Sequence, residues 1–205
     1  MKVKICGLTT AEHVETCIEH GAHYCGFILN YSKSHRFIDF EKAKELTNID
    51  KKITKYVGVL VNPKNEELEK FSTLNIDYFQ IYGNYSEKLI SEIKLNFNKK
   101  IIVAIQVKEK KDIFNYKNFE KVADIILWDS SGLELSLEWN FDWIKQINSN
   151  VTKMIAGNIG IDKLEKISSL ADIIDVSGAL ETNKVKDISK IKNFINNLKK
   201  LNNEN

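Results

Sequence analysis

Short apolar, β-branched runs recur along the chain at residues 3–5, 24–29, 56–61, 78–81, 101–106, 125–128, 153–156 and 173–176. A continuous apolar run of this length, bounded by polar residues, suits a parallel strand covered on both faces. Between the runs, apolar residues return at helical spacing over 11–20, 40–46, 65–72, 87–96, 110–120, 141–147, 161–168 and 190–201. The first of these helical patterns carries its own punctuation. Thr9 and Thr10 offer an N-cap, Glu12 lies in the first turn and Gly21 stands just past the end. Eight strand–helix units joined by short connections predict an α/β fold with a parallel sheet. Eight units in 205 residues is the minimal size of a (β/α)8 barrel, the TIM-barrel architecture. An open doubly wound sheet is the alternative, weakened because no G-x-G-x-x-G follows the first run. No linker or composition break divides the chain. A single domain over 1–205 is expected, with 200–205 a frayed tail.

Composition narrows the class. Hydrophobic residues make up 43% and charged residues 28%, as in an ordinary globular protein that buries a sizeable core. A formal net charge of +2 argues for neither nucleic acid nor an anionic membrane as partner. Three cysteines, Cys6, Cys17 and Cys25, form no C-x-x-C pair. They read as reduced thiols, not as a disulfide framework or a zinc site. With no signal-peptide core and no apolar stretch long enough for a membrane span, a soluble cytoplasmic protein is expected.

In a barrel, chemistry gathers where strands end at their carboxyl side. The first run ends on Cys6-Gly7, the fourth on Gln80-Ile81-Tyr82-Gly83 and the sixth on Trp128-Asp129-Ser130. The second leads into a polar loop containing Arg36. The seventh and eighth end on Gly157-Asn158 and Ser177-Gly178. One thiol, one guanidinium and one carboxylate would converge on one mouth. A thiol facing a carboxylate suits proton transfer in both directions, and a helix start close after Cys6 would lower the thiol pKa. Small residues at the last two ends leave room for a phosphate held by backbone amides. Each feature also has a plainer reading. Cys6 fits a buried core cysteine, Arg36 a surface residue and Asp129 a helix cap. Gly157, Ser177 and Gly178 fit ordinary turns. His20 and His23 flank a turn and read as surface residues.

Lys4-Ile5-Cys6-Gly7-Leu8-Thr9 resembles the N-terminal signature of the phosphoribosylanthranilate isomerases, (β/α)8 enzymes of tryptophan biosynthesis. Gly26-Phe27-Ile28 with Ser32-Lys33-Ser34-His35-Arg36-Phe37-Ile38 resembles the family's second unit. Val57 to Asn62, Gln80-Ile81-Tyr82-Gly83, Ile126 to Asp129, Phe141-Asp142-Trp143, Asp175-Val176-Ser177 and Lys186-Asp187 continue the match in order. The resemblance implies an Amadori rearrangement of N-(5′-phosphoribosyl)anthranilate, with Cys6 as general base and Asp129 as general acid. It places Arg36 on the anthranilate carboxylate. Gln80 and Tyr82 belong to the substrate site, and Gly157, Asn158, Ser177 and Gly178 border the phosphate. It implies no metal or organic cofactor, a small phosphorylated substrate as ligand, and a monomer or homodimer.

Departures cluster in one region. The family's glycine-rich segment before Phe-Asp-Trp is here Leu135-Ser136-Leu137-Glu138-Trp139-Asn140. Glu138 would repel a phosphate if it pointed inward, so a rebuilt phosphate site is expected. Tyr82 stands where the family usually has histidine. Two other functions compete: a related sugar-phosphate isomerase or epimerase of changed substrate, and a non-catalytic barrel that binds a partner through an exposed patch of Trp128, Trp139 and Trp143.

Overall fold

The computed structural model describes residues 1–130 and 137–204. Eight parallel strands close a barrel in chain order. They are β1 (Lys2–Cys6), β2 (Tyr24–Ile28), β3 (Lys55–Val61), β4 (Tyr78–Tyr82), β5 (Lys100–Gln106), β6 (Ile125–Asp129), β7 (Thr152–Ile155) and β8 (Ile173–Val176). β1 pairs with β2 on one side and β8 on the other, which closes the ring. The expected (β/α)8 architecture is therefore present.

Closure explains why the strands read as unbroken apolar runs. Successive side chains point to opposite faces, and both faces are covered. Val3 and Ile5 of β1 pack outward into the layer beneath the helices. Cys6, Tyr24, Val57, Tyr78, Ile102, Leu127 and Met154 fill the barrel interior. Tyr24 and Tyr78 meet edge-to-face inside it, with centroids 5.7 Å apart.

The outer ring is uneven. Helices α1 (Ala11–Glu19), α2 (Phe40–Thr47), α3 (Asn65–Ser72) and α4 (Glu87–Phe97) follow the first four strands. Thr10 caps α1, its Oγ1 accepting from the His13 amide. The fifth and sixth covers, expected as helices, are 3₁₀ stretches over Lys110–Asn118 and Phe141–Gln146. Their buried residues explain this: Ile113 and Tyr116 lie three apart, as do Phe141, Ile144 and Ile147. Spacing of three suits the three-residue turn of a 3₁₀ helix. After β7, a 3₁₀ turn over Ile161–Lys163 runs into the short α5 (Leu164–Ser168).

Two further features depart from expectation. Residues 200–204, expected as part of a frayed tail, continue α6 (Ile188–Glu204), and Asn205 lies outside the described residues. Leu201 packs on the core and Asn202 exchanges two 2.9 Å hydrogen bonds with Met1. These contacts hold the end down. A two-stranded hairpin, β9 (Glu181–Thr182) and β10 (Val185–Lys186), follows β8. Its turn residues Asn183 and Lys184 both have positive φ, 52° and 64°, as a two-residue hairpin turn requires. None of the described helices is long and apolar enough to cross a membrane.

Candidate active site

The carboxyl ends of the strands open onto a cleft of about 700 Å³, counting its open mouth. Cys6, Arg36, Gln80, Tyr82 and Asp129 line it. Gly157, Asn158, Ser177 and Gly178 line its other side. All nine expected site residues thus share one cavity.

Cys6 ends β1, and the chain turns away at once through Gly7. The Gly7 and Leu8 amides both bond the Gly26 carbonyl, at 2.9 and 3.1 Å. They do not serve the thiol, and α1 begins only at Ala11. With α1 starting five residues on, the influences that shift the thiol are burial and the charges of nearby side chains. Burial pushes the Cys6 thiol up from its ordinary pKa, opposed chiefly by the Lys4 cation. Lys4, two residues earlier on the same face of β1, is fully buried. Its Nζ donates to Asp175 Oδ2 at 2.8 Å. Burial disfavours the ammonium, but Asp175 and then Cys6 outweigh that and raise its pKa.

Arg36 is not a surface residue. Its side chain lies over Gly7, where a Cβ would sit 2.4 Å from Arg36 Cδ, and Gly7 has φ +78°. Only glycine combines that close approach with that backbone. Arg36 Nε and Nη2 donate to the two carboxylate oxygens of Glu181, at 2.5 and 3.0 Å. Lys186 Nζ bonds the same carboxylate and reaches Ser177 Oγ at 3.3 Å. Ser177 Oγ in turn donates to the Cys6 carbonyl at 3.0 Å. The hairpin thus ties Arg36 to the base of the thiol. Burial pushes Glu181 up, yet the hydrogen bonds from Arg36 and the charge of Lys186 outweigh it and hold the carboxyl at about 2.

Asp129 ends β6. Tyr82 Oη donates to its Oδ2 at 2.8 Å and accepts from Gln80 Nε2 at 3.2 Å. Burial and then the Asp129 charge keep the Tyr82 phenol well above its ordinary pKa, so it stays a donor. Gln80 Oε1 and Asp175 Oδ1 are buried with no partner among the described residues. Both belong to residues that line the cleft, so a ligand's hydroxyl protons could satisfy them.

A sequence model of the family described as N-(5′-phosphoribosyl)anthranilate (PRA) isomerase matches residues 3–197. The N-(5′-phosphoribosyl)anthranilate isomerase of Streptococcus mutans is 37% identical over 204 residues, covering 97% of this chain and 99% of its own. The chain belongs to the N-(5′-phosphoribosyl)anthranilate isomerase family. It is an isomerase of tryptophan biosynthesis. The phosphoribosyl anthranilate isomerase of Thermotoga maritima has the same fold, with a TM-score of 0.83 at 28% identity, covering 98% of this chain and 99% of that one. Another member, solved in complex with reduced 1-(o-carboxyphenylamino)-1-deoxyribulose 5-phosphate, gives 0.80 at 26% identity with the same coverage.

The region where this chain departs from its family can now be placed in part. Leu135 and Ser136 lie outside the described residues. Glu138 is exposed and pairs with Lys163 at 2.8 Å, and that lysine also bonds the Asn158 carbonyl at 2.9 Å. The Glu138 charge is therefore matched by a cation beside the cleft. Trp139 is buried across Gly157, its Nε1 donating to the Ala156 carbonyl at 2.9 Å. Trp128 is wholly buried and Trp143 packs against the core. No exposed tryptophan patch exists, which removes the basis for a partner-binding barrel. His23, expected at the surface, is half-buried and accepts from the Val3 amide at 3.2 Å.

Sequence reasoning passed over four residues: Lys4, Asp175, Glu181 and Lys186. Lys4 had a readable signal, a lysine two positions from the cysteine in an otherwise apolar strand. Lys186 and Asp175 stood only inside the matched segments, with no role attached, and Glu181 had no signal, because the hairpin that presents it has no Asn-Gly or Asp-Gly turn.

Proposed function

We propose that the cleft performs the Amadori rearrangement of N-(5′-phosphoribosyl)anthranilate with Cys6 as base and Asp129 as acid. Asp129 gives a proton to the ribose ring oxygen, the ring C–O bond breaks and a protonated Schiff base forms at C1′. Cys6 takes the C2′ proton, and the C2′–H electrons neutralise the iminium to give an enolamine. Ketonisation moves a proton from the 2′-hydroxyl to C1′. Each turnover leaves one proton more on sulfur and one fewer on Asp129, and its return resets the site.

Tyr82 fixes one oxygen of Asp129, so the acid keeps one orientation through the ring opening. Arg36, braced by Glu181, keeps donors for the anthranilate carboxylate on a guanidinium that cannot swing away. Gln80 Oε1 accepts from a sugar hydroxyl. Backbone N–H groups at Gly157, Asn158, Ser177 and Gly178 receive the phosphate, and Lys163 stands one residue contact behind them. The substrate is a small phosphorylated molecule, and the setting is a cytoplasmic single-domain enzyme.

The observation that carries this reading is the meeting of Cys6, Asp129 and Arg36 in one cleft. Turnover of freshly prepared phosphoribosylanthranilate, followed by loss of anthranilate-type fluorescence, tests it. Cys6→Ser and Asp129→Asn should each lower kcat by about a thousandfold or more while the fold survives. Retained activity in both variants overturns the assignment.

A further inference from the structure

Lys4 is a fully buried cation inside the barrel, and the reaction scheme above leaves it without a task. Lys4 and Cys6 stand two apart on β1, so both project inward. Gly26 of β2 lies in register with Cys6. A Cβ on Gly26 would sit 2.9 Å from Cys6 Sγ and 3.1 Å from Lys4 Nζ. The ammonium and the sulfur therefore share the gap that the missing side chain leaves. They lie within about 6 Å of each other, close enough for one charge to govern the other's ionisation. An ammonium has three donors, and one goes to Asp175.

We propose that Lys4 is a positioning residue for the reaction's base, its ammonium holding the Cys6 sulfur as counter-ion while Asp175 holds the ammonium. The inference rests on the reading of Cys6 as the base. Among the other groups facing the thiol, only Lys186 adds positive charge, and its influence is smaller than that of Lys4. Lys186 of β10 is occupied by Glu181 and Ser177. Asp175 of β8 carries charge of the wrong sign, Asp129 of β6 is the proton donor of the scheme and supplies no cation, Tyr82 of β4 is a neutral donor held by Asp129, and Cys25 of β2 is a buried thiol. Burial pushes the Cys6 thiol up even against Lys4, which is the chief influence opposing that rise. The series Asp175–Lys4–Cys6 thus sets a carboxylate-held cation beside the thiol.

The test is residue-resolved alkylation. Iodoacetamide labelling of the Cys6 peptide is followed by mass spectrometry across pH, in the unaltered chain, in Lys4→Met and in Lys4→Met/Asp175→Asn. The double variant leaves no unpaired buried carboxylate, so it keeps the test valid if the single variant unfolds. At about pH 8, labelling of Cys6 should slow by about tenfold or more in both folded variants, and the rising limb of kcat/KM should move to higher pH. In the unaltered chain, the Lys4 ammonium NMR resonance should move as Cys6 ionises, and should not move in Cys6→Ser. Unchanged labelling and an unmoved limb in a folded variant, or a Lys4 resonance indifferent to Cys6, overturns the proposal. Full turnover by Cys6→Ser would instead sink the base assignment, while leaving the alkylation result to judge Lys4 by itself.

Discussion

Replacing Glu181 by glutamine tests the hairpin's hold on Arg36. The carboxylate takes two hydrogen bonds from Arg36 and one from Lys186. Its side chain is 8% exposed, Arg36's 10% and Lys186's 1%. Its pKa falls from an ordinary 4.5 to about 2. A drop of about 2.5 pH units at about 1.36 kcal/mol each is about 3.4 kcal/mol. The carboxylate stands at the cleft rim beside the part-exposed His35, so solvent screening takes about half and leaves about 1.5–2 kcal/mol. For a chain of this size, that lowers Tm by about 3–8 °C. Because the folded pKa is depressed, this stability is complete above about pH 4.5 and is lost as pH falls toward 2. Urea unfolding of both proteins at neutral pH and near pH 3 reads the difference directly. The gap between Glu181→Gln and the unaltered chain should be full at neutral pH and shrink on acidification. An equal gap at both pH values would refute the electrostatic reasoning. With Arg36 unbraced, KM should rise by about tenfold while kcat changes little, since a positioning loss falls mainly on binding.

Two smaller perturbations address the rest of the mouth. Tyr82→Phe removes the 2.8 Å hydrogen bond to Asp129 and should lower kcat by about tenfold with KM nearly unchanged, since it loosens the acid without touching Arg36; an unchanged kcat in steady-state assays would count against an orienting role. Gly157→Ala places a Cβ 2.9 Å from the Leu137 carbonyl and from the Trp139 ring, at a φ of +121°. Chemical denaturation should show a loss of about 1–3 kcal/mol and the assay a raised KM, whereas a neutral variant would mean that the Trp139 segment moves freely.

Much of this protein was legible in its residues. The eight apolar runs marked every barrel strand, because a strand covered on both faces is mostly apolar, with only isolated polar positions such as Lys4, Gln80 and Asp175. That Cys6, Asp129, Gln80 and Gly157 would line one cleft was legible because a barrel gathers strand ends, so position along a strand is already position in space. Local pattern was less decisive where burial is shallow. The covers after β5 and β6 place their apolar residues three apart, and only contact with the strands made them 3₁₀ stretches. What tertiary structure alone decided is electrostatic. Whether Cys6 meets a helix end or a lysine depends on the direction of a turn and on the gap above Gly26. Whether Glu138 opposes a phosphate depends on Lys163, 25 residues away in the chain. Whether Arg36 lies on the surface or in a clamp depends on Glu181, 145 residues away. Hydrophobic burial follows from a residue's own identity and its spacing, so a sequence displays it. Charge pairing depends on distance between groups remote in the chain, and only the folded barrel sets that distance.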